Sequence, residues 1–178
     1  MIFSKDLFFI EMQSKQKAIF LDRDGVVIKE RGDYTWLLED MKINDGIEEA
    51  LKIFSRAGFL LIVISNQSGI SKGLYTKQET DYLHLHLERI LLTKGIQINE
   101  FYFCPHHPSV SNCICRKPDS LLLEKAIARF RIDTAESWFI GDADRDIEAG
   151  EKAGVRTIKI EVNESLISIA EKIVNTIN

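Results

Sequence analysis

Apolar positions in this chain fall into two rhythms. Short unbroken blocks end on a polar or acidic residue, and between them lie longer stretches whose apolar positions recur every three to four residues. The first block, Ala18 to Val27, reads AIFLDRDGVV. An apolar run that closes on Asp22 and Asp24 and then reaches Gly25 predicts a buried strand delivering carboxylates to a ligand. Residues two apart in extended backbone leave the same face, so both carboxylates converge on one small charged object. Gly25 lets the backbone turn away directly afterwards. FLLIVIS, ending at Ser65, predicts a second buried strand; Glu100 to Phe103 a third; SWFIGD, ending at Asp142, a fourth; and RTIKIEV a last one.

The helical rhythm fills the gaps. Asn44 or Asp45 caps a helix whose buried positions are Ile47, Ala50, Leu51 and Phe54, and Gly58 ends it. Thr76 and Glu79 form a capping box that opens a long helix to Lys94, with Leu83, Leu87, Ile90 and Leu91 as its buried stripe. His84 and His86 on that helix are two apart, too poorly aligned to hold one metal, and read as solvated or partly packed. Further helices are predicted over Pro118 to Phe130, Ile147 to Ala153 and Ser165 to Ile177. KERGDYTWLLEDMKIND has no sustained period and reads as a flap over the mouth of the first strand, with Tyr34 and Trp36 as packing aromatics. Strands alternating with helices imply an α/β fold: three Rossmann-like layers, a central parallel sheet with helices on both faces. Ligands gather at the carboxyl ends of such strands, where Asp22, Ser65 and Asp142 fall. Residues 1–17 form an N-terminal extension of unassigned role, its LFFI an added edge strand or a cover for a neighbouring surface.

Composition narrows the picture. With 178 residues, 45% of them apolar, the chain suits one well-buried domain over residues 18–178. A net charge of -4 argues against a binder of nucleic acid held through phosphates, while a small anionic substrate needs only a local positive pocket. No apolar stretch approaches a bilayer span and the first residues lack a secretory signal's apolar core, so no membrane partner and a cytoplasmic monomer are expected. Cys104, Cys113 and Cys115 cluster as a metal site does, rather than as a disulfide framework.

Singly, the acidic motif reads equally well as a strand-closing turn, Ser65 as a loop hydroxyl, Lys117 as a solvated charge and Asp142 as a helix cap. Together DxDG at Asp22, the hydroxyl at Ser65, Lys117 in CRKP and Asp142 in GDADRD resemble, in order and spacing, the four motifs of the haloacid dehalogenase superfamily of phosphatases. The resemblance implies a catalytic magnesium held by the Asp22 and Asp142 carboxylates and the Asp24 backbone carbonyl. It implies Asp22 as nucleophile, forming an aspartyl phosphate, and Asp24 as general acid and then base. Lys117 and Ser65 would stabilise charge on the transferring group, and Asp146 would stand outside the magnesium ligands.

Cys104, His106, Cys113 and Cys115 make CxH and CxC pairs across a short loop at 104–115, a soft ligand set suited to a closed, structural zinc that holds Arg116 and Lys117 still; the alternatives are His107 in place of His106, or free thiols beside surface histidines. A CPH segment followed by CxCRKP resembles the zinc-bearing branch that contains the heptose-bisphosphate and histidinol-phosphate phosphatases, and the resemblance selects His106. That branch lacks a large cap domain. The resemblance implies substrate contacts from Glu30, Arg31 and Gly32 in the flap, from Asn66, Gln67 and Ser68, and from Arg116. The expected reaction is removal of the C7 phosphate of a heptose bisphosphate, a small phosphorylated metabolite. The alternatives are a histidinol-phosphate phosphatase, a nucleic-acid 3′-phosphatase, or an inactive zinc-loop interaction module. Three departures bear on substrate: RGDY lengthens the flap by one residue; Ala143 stands where the heptose enzymes carry lysine, leaving Arg145 as a replacement charge; and the six residues between His106 and Cys113 make a shorter loop than some heptose enzymes have, closer to the histidinol-phosphate type.

Overall fold

A computed structural model of the chain describes residues 15–176. Strands β1 (Ala18–Leu21), β2 (Leu60–Asn66), β3 (Glu100–Cys104), β4 (Trp138–Gly141) and β5 (Arg156–Lys159) form one sheet in the order β3-β2-β1-β4-β5, every neighbouring pair parallel. Helices α1 (Ile47–Arg56), α2 (Lys77–Thr93), α3 (Leu121–Phe130), α4 (Asp144–Lys152) and α5 (Ile167–Asn175) cover it.

All four residues of β1 are buried, because alternate side chains serve different layers. Ile19 and Leu21 join Leu61 and Val63 of β2 against Leu51 and Phe54 of α1, Leu87 and Leu91 of α2 and Ile169 and Ile173 of α5. Ala18 and Phe20 join Ile62 and Ile64 against Leu122, Leu123 and Ala126 of α3 and Ala149 of α4. The chain winds outward from β1 to β3, then returns past β1 to β4 and winds the other way. Right-handed crossovers therefore put the helices of the two halves on opposite faces. That reversal opens a crevice between the carboxyl ends of β1 and β4, where Asp22 and Asp142 lie. Between β1 and β2, and between β2 and β3, the chain adds only loops, one α-helix each and a short 3-10 turn at Leu38–Asp40, so among the described residues no cap domain stands over the crevice.

The capping box of α2 forms as expected, Thr76 Oγ1 accepting from Glu79 N and Glu79 Oε2 from Thr76 N. Other expected starts move, the last helix beginning at Ile167 rather than Ser165. Gly46, not Asn44 or Asp45, precedes α1 with φ of 74°, because the Asn44 amide donates instead to Val26 O and Glu164 O, tying the flap to the loop before α5. Helix α3 begins at Leu121 rather than Pro118, since residues 116–119 form a turn closed by Asp119 N donating to Arg116 O. Helix α4 begins at Asp144, ahead of Ile147, because Asp146 Oδ2 accepts from Ala143 N. The LFFI segment lies outside the described residues.

Candidate active site

Asp22 follows β1 directly, its backbone N–H donating to Ile140 O of β4 at 3.0 Å. Its carboxylate faces Lys117, whose Nζ is 2.8 Å from Asp22 Oδ1 and 2.7 Å from Asp146 Oδ1. The ammonium also donates to Ile64 O at 2.7 Å, and the residue is buried. So long a side chain is aimed by its backbone: Asn66, the last residue of β2, accepts from Lys117 N and donates to Lys117 O. Asp142, directly after β4, completes the group, and oxygens of Asp22, Asp142 and Asp146 all lie within 4.8 Å of one another.

Three carboxylates around one ammonium leave negative charge unbalanced in a dry place. Burial pushes the Asp22 carboxyl up to about 7, against the pull of Lys117 and with a further push from Asp146. Burial and then Asp146 likewise raise Asp142. Asp142 Oδ1 is buried with no hydrogen-bond partner among the described residues. An oxygen-only donor set with an orphaned carboxylate oxygen fits a hard divalent cation such as magnesium.

Asp24 turns from this cluster. Its Oδ2 accepts from Arg23 Nε and Gln67 Nε2, both at 3.1 Å, and its Oδ1 from Arg23 Nη2 at 3.0 Å. Gln67 Nε2 also donates to Ser65 Oγ at 2.6 Å, and Tyr75 donates to Gln67 Oε1 at 2.8 Å. The hydroxyl, the amide and the second acid thus share one network behind the crevice.

In front of it lies a cleft of about 420 Å³, lined by Asp22, Asp24, Ser65 and six of the seven residues expected at the substrate: Glu30, Gly32, Asn66, Gln67, Ser68 and Arg116. Arg31 is not on that wall; its guanidinium pairs with Asp40 at 3.0 Å on the outside of the flap. Arg145 lines the cleft, as do Tyr34 and Thr35. Tyr34 serves two ends, packing edge-on against Tyr75 while its hydroxyl stands 3.3 Å from Ser68 Oγ and accepts from Lys72 Nζ at 3.0 Å. Trp36 also stacks on Tyr75, with ring planes 13° apart.

Sequence reasoning missed three supports. Tyr75 anchors both flap aromatics and fits because Gly69 carries no side chain; a Cβ there would sit 2.1 Å from the ring. Asn163, at φ 64°, accepts from Glu30 N and donates to Glu30 O, while its own N–H donates to Gly25 O. Its only local signal is an asparagine in a polar turn, the residue type that tolerates the left-handed region. His84 is not solvated: it is buried, stacked on Phe101 at 4.7 Å and beside Arg23. A side chain that reads as polar on α2 is turned inward by partners no helix period reveals.

The sulfur cluster forms beside the cleft. Cys104 Sγ is 3.6 Å from Cys113 Sγ and 3.2 Å from Cys115 Sγ; His106 Nδ1 is 3.5 Å from Cys104 Sγ and 3.3 Å from Cys115 Sγ. A tetrahedral zinc with ordinary bond lengths needs ligand separations of about 3.8 Å between sulfurs and about 3.5 Å from sulfur to nitrogen, and these four separations lie within about 0.6 Å of those values. Burial pushes the Cys104 thiol far above its usual range, which makes a bound cation the natural counterpart of its thiolate. The loop touches the cleft through Arg116, whose Nη1 donates to His106 O at 3.1 Å. His107 stands outside the cluster, its Nδ1 against Ser109 Oγ.

The HAD-hydrolase-like family model matches residues 114–165. A D-glycero-beta-D-manno-heptose-1,7-bisphosphate 7-phosphatase of Haemophilus ducreyi is 33% identical over 167 residues, covering 88% of this chain and 90% of that protein. The histidine biosynthesis bifunctional protein HisB of Legionella pneumophila is 34% identical over 161 residues, covering 90% of this chain and 46% of that protein. Among solved structures, a D,D-heptose 1,7-bisphosphate phosphatase from B. bronchiseptica, complexed with magnesium and phosphate, superposes with a TM-score of 0.80 at 25% identity, covering 90% of this chain and 99% of the other.

Proposed function

The chain belongs to the haloacid dehalogenase superfamily, in the branch of the heptose-bisphosphate and histidinol-phosphate phosphatases, and from that premise we propose that it removes the C7 phosphate of a heptose 1,7-bisphosphate through an aspartyl phosphate. The observation that carries the reading is Lys117 Nζ at 2.8 Å from Asp22 Oδ1, within a group of carboxylates of which Asp22 lines the cleft.

An Asp22 carboxylate oxygen attacks phosphorus, the bond from phosphorus to the sugar oxygen breaks, and its electron pair leaves on that oxygen, which takes a proton from Asp24. Water then attacks the phosphoryl group; Asp24 receives the water proton, and the bond to Asp22 breaks to restore the carboxylate. Lys117, Ser65 and the amides of the Asn66 loop stabilise charge on the nonbridging oxygens. Asp22, Asp142 and the Asp24 carbonyl would hold magnesium, which when bound offsets the repulsion between these acids and a phosphate dianion. Asp146 keeps Lys117 in place. Cys104, His106, Cys113 and Cys115 would hold zinc as a fixed support for the turn that presents Arg116 and Lys117. The working unit is one domain, a monomer without a cap, whose substrate is a small sugar phosphate rather than nucleic acid. Among the described residues no helix is long and apolar enough to cross a membrane.

Arg116 and Arg145 at the cleft wall, with Lys72 behind Tyr34, favour a substrate carrying a second anionic group. The acids Glu30 and Asp33 favour the second reading, histidinol phosphate, whose far end is an ammonium. Each acid accepts from one flap amide, Glu30 from Gly32 N and Asp33 from Tyr34 N, and Arg116 likewise donates once, to His106 O; the three cations outnumber the two acids, so the bisphosphate stands first. Steady-state assays of the purified protein on both compounds decide between them. A larger kcat/KM for heptose bisphosphate is expected, and a larger value for histidinol phosphate overturns the choice.

A further inference from the structure

We propose that Arg23, the residue between the two motif acids, is the positioning residue that aims the Asp24 carboxylate into the cleft and keeps it in register with the flap. The inference rests on the role proposed above for Asp24. Arg23 lies in the turn after β1, and its side chain ends only 1% exposed at the back of the cleft, leaving almost no surface for substrate. A buried guanidinium is tolerated only where its donors are met.

Four of the five N–H groups are. Nε reaches Asp24 Oδ2 at 3.1 Å and Nη2 reaches Asp24 Oδ1 at 3.0 Å, a fork that fixes the plane of the carboxylate as well as its place. Nη2 also donates to Thr35 O of the flap at 2.8 Å, and Nη1 lies 3.3 Å from His84 Nε2. A guanidinium offers no lone pair, so His84 is the acceptor and carries its proton on Nδ1. His84 is itself wedged between Phe101, stacked at 4.7 Å, and Phe103, edge-on at 5.5 Å. The aim of Asp24 is thus traced to α2, to β3 and to the flap, while its own side chain stays 22% exposed toward the cleft.

Proton donation matters in proportion to the basicity of the leaving oxygen, which separates positioning from mere support. A sugar oxygen needs Asp24; para-nitrophenolate leaves without it. Because kcat/KM covers steps only through departure of the leaving group, Arg23→Gln is expected to lower it about 100-fold on heptose bisphosphate and by no more than about 3-fold on para-nitrophenyl phosphate. Arg23→Lys, which keeps the charge but not the fork, falls between on the sugar phosphate and carries the same comparison if Arg23→Gln does not fold. Equal losses on both substrates, or no loss on either, overturn the proposal. Asp24→Asn tells the two ideas apart. If it shows no leaving-group dependence, the role of Asp24 is wrong; if it does and the Arg23 variants do not, only the role of Arg23 is wrong.

Discussion

No side chain fits at Gly25, because a Cβ there would stand 2.1 Å from Asp142 Oδ2. The residue that turns the chain after β1 is also the floor against which the β4 acid lies, and its φ of 84° is unfavourable for any other residue. Gly25→Ala is expected to cost about 2 kcal/mol in backbone strain and to displace Asp142 as well. Activity should fall by more than the strain implies, about 100-fold or more in kcat, with the fold retained by circular dichroism. Activity within a few-fold of the parent would show that Asp142 has room to move.

Asp22→Asn separates stability from chemistry. The carboxylate is disfavoured by burial, its pKa pushed up to about 7, so an uncharged amide relieves a desolvated charge while Lys117 keeps Asp146. At alkaline pH and without added metal, the melting temperature of the variant should equal or exceed that of the parent, while turnover falls by at least about 1,000-fold. Hydrolysis at the parental rate would move the nucleophile elsewhere.

Removing one sulfur tests the support of the loop. Cys113→Ser should lower bound zinc, measured by elemental analysis, from one equivalent per chain. It should also reduce kcat more than about 10-fold, because Arg116 and Lys117 are the first and second residues after Cys115 and depend on that turn for their position. Full activity with no zinc bound would reduce the cluster to ordinary packing.

His84 makes stability depend on pH. Burial, with the Arg23 charge added, holds its pKa well below the usual histidine value, so the unfolded chain binds this proton first as pH falls. The contribution of His84 is therefore complete above about pH 6.5 and declines below it, by up to about 1.4 kcal/mol per pH unit until the folded-state pKa is reached. His84→Gln, which keeps an acceptor for Arg23 but does not titrate, should lose less stability than the parent between about pH 7 and pH 5 in denaturant titrations. Identical losses would place the proton uptake at other groups.

Local pattern determined much of this protein. Apolar runs with acids at their ends specify β1 and β4, because a strand buried on both faces must be continuously apolar and must stop where the ligand begins. The capping box of α2 and the cluster of Cys104, His106, Cys113 and Cys115 are legible for the same reason, each being written within a few residues of itself. What tertiary structure alone decided are pairings across long separations. Lys117 is drawn between Asp22 and Asp146, Arg23 meets His84 across 61 positions, and Asn163 holds Glu30 across 133. None of these partners shares a period or a motif with the other; they meet because the order of strands brings their loops to one end of the sheet, and desolvation there leaves each polar group only the others to satisfy it.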